Sequence, residues 1–180
     1  MTNKLIRFIG PIILLLIVHG CQYQESVDSI SITVSDKQII ETYLNEEVMA
    51  PNFGGNVFSA HDILQADRHK EEIYIWALIM EFYNTGAGLE KGTGMSLPMI
   101  LQFDQVEGDE IRIINHTVPR DGSFYQEDIE KLFPENIQTK IFRYPTNRAE
   151  KLSETLEGME NKYKSCLCGS LDGDSILGDR

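Results

Sequence analysis

The spacing of apolar residues changes period several times along this chain, and each change marks a boundary. From Leu5 to Val18 the sequence is one apolar run of about 14 residues, preceded by Lys4 and Arg7 and interrupted by Gly10 and Pro11. A helix that crosses a bilayer needs ~20 apolar residues at ~1.5 Å rise each, so the run reads as a removable export signal rather than a spanning helix. Gln22 to Val34 is polar and Ser-rich, with Val27, Ile30, Ile32 and Val34 alternating, which suits a tether carrying at most one short strand. Ser35 and Asp36 are candidate N-caps, and Gln38 three residues after Ser35 completes a capping box. They open a first helix, Asp36 to Val48, whose inner stripe is Ile39, Ile40, Tyr43 and Leu44. Pro51 stops it, and the PNFGGN cluster at 51–56 turns the chain into a new period.

The new period is that of strands. Val57 to Ala66 suits one strand, and EIYIWALIMEFYN, Glu72 to Asn84, is the strongest in the chain. Both of its alternating faces are largely apolar, which places it centrally with material packed on each side. Residues 85–98 carry glycines at 86, 88, 92 and 94 and read as the long loop of a hairpin; a phosphate cradle lacks the Lys-Ser/Thr that should follow. Met99 to Val106 and Glu110 to Val118 form a second hairpin around Glu107-Gly108-Asp109.

After the turn Pro119-Arg120-Asp121-Gly122-Ser123, the spacing of Ser123 and Gln126 predicts a capping box and a helix to Leu132, with Phe124, Ile129, Leu132 and Phe133 facing the sheet. Pro134 ends it, and Ile137, Ile141 and Phe142 fit a short helical turn. Thr146 to Lys164 reads as a last helix with a sparse stripe of Leu152, Leu156, Met159 and Tyr163, solvated, loosely docked or partner-binding. The expected organisation is therefore a signal at 1–20, a tether at 21–34, an α+β domain at 35–145, a C-terminal helix at 146–164 and a disordered tail at 165–180. The fold class is α+β: an N-terminal helix, a four-stranded antiparallel meander and C-terminal helices. That order is similar to cystatin-like folds, an analogy that transfers no function.

Charge narrows the partners. Removing the first twenty residues lowers the basic count from 16 to 14 against 28 acidic residues, a formal charge of about −14. Nucleic acid and anionic headgroups repel such a surface, so no nucleic-acid partner is expected and the bilayer is reached only through a lipid. Of three cysteines, Cys166 and Cys168 sit one residue apart in SCLCGS, too close for an unstrained disulfide and without a second pair for zinc. They are expected to be an incidental pair in the tail, with a labile disulfide as the alternative.

Catalytic candidates are few. A Ser/His/Asp set could be drawn from Ser123, His116 and Asp121, or a pair from Ser96 and His61, the latter beside Asp62, but no nucleophile-elbow motif surrounds either serine. Asp104, Glu107, Asp109 and Glu110 flank a hairpin without calcium-loop order, and Asp172, Asp174 and Asp179 lack the closing glutamate. No catalytic residue, metal site or cofactor is therefore assigned. The main alternatives are a secreted or anchored hydrolase built on these His, Asp and Ser residues, and a cation-binding envelope module.

Two stretches resemble known families. Val18-His19-Gly20-Cys21 resembles the lipobox of bacterial lipoproteins, with His19 departing from the Ala, Ser or Thr usual there. The resemblance implies that Cys21 receives a thioether-linked diacylglycerol and becomes the first mature residue, on the extracytoplasmic face of the cell membrane. Two acyl chains hold a protein stably where one is marginal; an ordinary secretory cleavage beside an incidental cysteine is the alternative. IYIWALIMEFY, GTGMSLPMIL and VPRDGSFYQEDIEKLFP together resemble a domain of unknown function from small lipoproteins of Gram-positive bacteria, also found attached to membrane metallopeptidase-like sensors. That resemblance implies no activity. The expected role is a membrane-anchored module that binds a ligand or an envelope protein without catalysis.

Overall fold

The computed structural model describes residues 31–106 and 110–171, with side chains as far as residue 166. Its strands are β1 Asn56–Asp67, β2 Glu72–Asn84, β3 Leu89–Gln105 and β4 Ile111–Thr117, paired antiparallel in the order β1-β2-β3-β4. Helix α1, Val34–Tyr43, continues as a π-helical turn, Leu44–Val48, and α2 Tyr125–Leu132, α3 Glu135–Phe142 and α4 Thr146–Leu171 follow the sheet. The fold is α+β, with the meander and flanking helices predicted by the periodicity.

The two-sided burial of β2 organises the layers. Ile73, Ile75, Ala77 and Ile79 point to one face and pack with Ile40 and Leu44 of the first helical segment. Tyr74 and Trp76 point to the other and meet Ile129, Phe133, Ile137 and Ile141 of the α2–α3 segment. Each fully buried aliphatic or aromatic side chain contributes roughly 1.5–3 kcal/mol, so a strand buried on both faces anchors both layers. The edge strand β1 is covered by α4, whose Leu152 and Leu156 are buried and whose Tyr163 ring lies 5.3 Å from that of Phe58. This cover blunts an otherwise open strand edge. A bulge near Ile63 leaves Leu64 unpaired in the ladder, and its carbonyl accepts a 2.5 Å hydrogen bond from Lys140 Nζ of α3.

Several local expectations are corrected. The first capping box is Thr33 with Asp36, where Asp36 Oδ2 accepts from Thr33 N at 2.8 Å and Thr33 Oγ1 accepts from Asp36 N at 3.1 Å; Ser35 and Gln38 do not form it. An aspartate at the third helical position serves where a glutamate or glutamine is usual. Val34, read as the end of a short strand, starts the helix and is 75% exposed, and the rest of that stretch before Ser31 lies outside the described residues. The glycine loop is much shorter than expected, because β3 begins at Leu89 and carries Gly92 and Gly94 inside it. Ser123 makes no cap: Gly122–Phe124 is a single 3₁₀ turn leading directly into α2. Phe124 is exposed rather than packed on the sheet. Helix α4 is docked on β1 and runs past the predicted end at Lys164 to Leu171, into the stretch read as a disordered tail, whose remainder lies outside the described residues.

The stretch PRDGSFYQED is explained by one ion pair. The Arg120 backbone N–H donates to Asp128 Oδ2 at 2.8 Å, while Nε and Nη2 donate to the two carboxylate oxygens at 2.8 and 2.7 Å. The guanidinium also lies over the Phe124 ring, 4.3 Å from its centroid. The Arg120 hydrogen bonds hold the Asp128 carboxyl well below the ordinary range. Asp128→Asn is therefore expected to lower Tm by more than about 3 °C, and Arg120→Lys to reproduce most of that loss because an ammonium lacks the planar fork. Thermal denaturation followed by circular dichroism checks both; a Lys variant as stable as wild type would contradict the bidentate account.

Candidate functional site

A cleft of about 500 Å³ opens between α1, β1 and α4. Three local periods build it. On α1, Lys37 and Glu41 are four residues apart and share a face. On β1, Ser59, His61 and Ile63 alternate toward the α1 side, and Ala60 and Asp62 between them also line the cleft, with the Asp62 carboxylate turned to the Tyr144 side of the strand. On α4, Arg148, Lys151, Leu152, Thr155 and Met159 form one helical stripe along the third wall.

Asp62 is fixed from the far side of the strand. Its Oδ2 accepts from Arg148 Nη1 at 2.8 Å and from Tyr144 Oη at 3.1 Å, and the Tyr144 ring stacks on Trp76 with centroids 4.4 Å apart. Burial, reinforced by the Asp62 charge, raises the Tyr144 hydroxyl above its ordinary value, so it stays a donor. His61 is partly buried in the cleft and its ring makes no hydrogen bond among the described residues. Burial, aided by the Lys37 charge and opposed by Asp62, lowers its pKa to about 4, so the imidazole is neutral at pH 7. Burial likewise raises the Glu41 carboxyl.

A second built feature stands at the end of the sheet where β2 meets β3. Glu81 is fully buried, and its carboxylate accepts from the backbone N–H groups of Phe53 at 2.8 Å, Asn52 at 2.9 Å, Gly55 at 3.0 Å and Thr93 at 3.4 Å. Burial pushes its pKa up, but these four donors more than offset that and hold it below the ordinary range. The ladder is irregular here, with Met80 opposite Gly94 but Phe82 opposite Lys91. A Cβ at Gly92 would fall 2.8 Å from Glu81 Oε2, and one at Gly55 would fall 2.2 Å from the Phe82 carbonyl oxygen. Phe53, 58% exposed, stacks on Tyr83 at 4.9 Å. The sequence signal for this arrangement is an acid inside an otherwise apolar strand flanked by two glycine pairs, GG and GTG; spacing alone reads the acid as alternation and the glycines as loop.

Of the residues singled out by sequence, His61 and Asp62 lie at the cleft and the others do not. His116 is on β4, three strands and roughly 14 Å across the sheet from β1 at ~4.8 Å per spacing. Its Nδ1 is bonded to Tyr43 Oη at 2.9 Å, and it makes no hydrogen bond to Asp121 or Ser123 among the described residues. Ser96 accepts from Trp76 Nε1 at 3.0 Å, on the face of the sheet opposite His61. Asp104 pairs with Arg112 at 2.9 Å and Glu110 accepts from Ser35 at 3.5 Å, while Glu107, Asp109, Asp172, Asp174 and Asp179 lie outside the described residues. Among the described residues no three His, Cys, Asp or Glu side chains assemble a metal site. Cys166 is exposed on α4; Cys21 and the Cys168 side chain lie outside the described residues. Comparison with family models, curated proteins and solved structures finds no match to this chain.

Glu81→Gln turns an amide NH₂ toward backbone donors, so hydrogen exchange at the Asn52 and Phe53 amides should accelerate by more than about tenfold, with Ile75 amide exchange affected less; unchanged protection would remove Glu81 from its anchoring role. Stability should also fall in two stages on acidification. The unfolded chain protonates His61 near its ordinary 6.5 while the folded chain resists to about 4, so stability declines across that window by about 3 kcal/mol and no further below it. Glu81, depressed in the fold, stabilises above the ordinary carboxyl value of 4.5, and that contribution disappears as pH drops through its folded pKa. Urea unfolding of His61→Asn at several pH values should lose the first stage and keep the second.

Proposed function

We propose that this chain is a lipid-anchored extracytoplasmic protein, held to the membrane through Cys21, whose folded domain binds a ligand or an envelope protein without chemistry of its own. The observation that carries the reading is Val18-His19-Gly20-Cys21, placed directly after a basic n-region and an apolar run too short to span a bilayer. Among the described residues no helix is long and apolar enough to cross a membrane. The acidic surface favours a lipid, rather than headgroup attraction, as the means of attachment.

The way the chain enters the domain fits a tether. Ile32 packs against the core beneath α1, and Ser35 bonds Glu110 at the end of the sheet that carries the β3–β4 connection. The Glu81-held strap, with Phe53 exposed on it, occupies the other end. The cleft opens along the flank between the two ends.

The test is intact mass and detergent-phase partitioning of wild type and Cys21→Ala expressed in a bacterial host. Wild type should enter the detergent phase at the mass expected for cleavage before Cys21 plus diacylglycerol, and the variant should not. An aqueous, non-lipidated wild type would make the protein merely secreted; full-length protein in the membrane for both would make residues 5–18 an anchor.

A further inference from the structure

Resting on the reading of the domain as a binding module, we propose that the cleft between α1, β1 and α4 is a site for a small phosphate-bearing ligand, held by Lys37, Lys151 and Arg148 with His61 on the floor. Lys37 and Lys151 reach the cleft from two different helices, and neither makes an ion pair or side-chain hydrogen bond among the described residues. Arg148 uses Nη1 on Asp62, and its Nε and Nη2 make no hydrogen bond among the described residues. Two lysines without partners among the described residues, and Arg148 held at the border by Asp62, therefore line one cleft, in a chain whose acidic residues outnumber its basic ones by 28 to 16.

The acids of the cleft do not cancel them. Asp62 already accepts two hydrogen bonds, from Arg148 and Tyr144. Glu41 is partly buried, which disfavours its charged form. A divalent cation would have to displace Arg148 from Asp62 and sit against two lysines, so the balance favours an anion. Between oxyanions, a tetrahedral phosphate offers acceptor oxygens in several directions at once, matching donors that arrive from separate walls; a carboxylate, planar with two oxygens, suits a single fork. Leu152, Ile63 and Met159 add an apolar border, and a cleft of about 500 Å³ accommodates an organic group on the phosphate.

His61 supplies the reporter. Its imidazole has a free nitrogen for the ligand, and a phosphate beside it offsets both the desolvation and the Lys37 charge that keep it neutral. The charges that act on it are Lys37 from α1 and Asp62 on its own strand, and Glu41 from α1 with Arg148 and Lys151 from α4 are the other titratable groups lining the same cleft. Saturation with phosphate should therefore raise the His61 titration midpoint from about 4 toward its ordinary 6.5.

The experiment uses the full chain in neutral detergent, labelled on histidine, titrated with inorganic phosphate and with glycerol 3-phosphate, and separately mixed with phosphatidylglycerol or phosphatidylcholine vesicles. The expected result is a saturable His61 shift with either soluble phosphate. The double variant Lys37→Gln/Lys151→Gln should weaken it about tenfold or more, and Lys162→Gln, an exposed lysine of α4 outside the cleft, should stay within about twofold. Binding confined to phosphatidylglycerol vesicles and abolished by the same double variant would keep the phosphate chemistry and assign it to a headgroup. No saturable response to any phosphate, or one indifferent to the double variant, would overturn the proposal. Since partitioning of Cys21→Ala reads anchoring alone, failure of the anchor and failure of the phosphate site give different patterns.

Discussion

A carboxylate buried inside a strand sets the geometry of one whole end of this domain. An isolated charge in a protein interior costs several kcal/mol, and it persists only where hydrogen bonds replace the lost water. Glu81 obtains four from backbone N–H groups, three of them in the segment between the π-helical turn and β1. That segment is thereby fixed against β2 and β3, and it decides how the chain leaves the helix and enters the sheet. Around the carboxylate there is no room for side chains at Gly55 and Gly92, so both glycines follow from the same constraint. Phe53 is left exposed, on a backbone made rigid by the residue beneath it.

The rest of the fold is a division of labour on the central strand. Because β2 is apolar on both faces, it requires cover from both sides, and the chain supplies α1 before the sheet and α2 with α3 after it. Helix α4 then has no face left to cover and takes the edge of β1. The cleft is a consequence of that arrangement: α1 lies over the sheet face, α4 lies along its edge, and the space between them is floored by β1. Its polar lining comes from three segments far apart in sequence, which is why no local motif announced it. The Arg120–Asp128 clamp plays a comparable structural part on the opposite side, closing the turn between β4 and α2. The stretch from Pro119 to Asp128, part of the resemblance drawn from the sequence, therefore has a local explanation in hydrogen bonding and stacking.

Hydrophobic period and breakers made the elements legible in the sequence. A 3.6-residue stripe over Ile40 and Leu44, strict alternation over residues 72–84, and prolines at 51 and 134 mark the helices, the central strand and two of the ends, because each reflects a local geometric rule. Caps and glycines were legible only in kind. Ser35 and Thr33 are both competent N-caps, and the choice fell on Thr33 because Asp36, rather than Gln38, returns the reciprocal bond. Gly92 and Gly94 carry the composition of a loop, yet they lie in a strand, where Gly92 makes room for a carboxylate arriving from the neighbouring one.

The sequence by itself determined the order and type of elements, the acidic surface and the lipobox resemblance at Cys21, all of which depend on residues adjacent along the chain. The tertiary structure decided which polar groups meet. It separated His61 from His116 by three strands and turned Ser96 to the opposite face. It gave Glu81 its four donors, and it brought Lys37, His61 and Lys151 around one cleft. The physical reason is the same throughout: period and turn chemistry act over a few residues, whereas burial, desolvation and the convergence of charges are properties of surfaces that exist only once the sheet is covered.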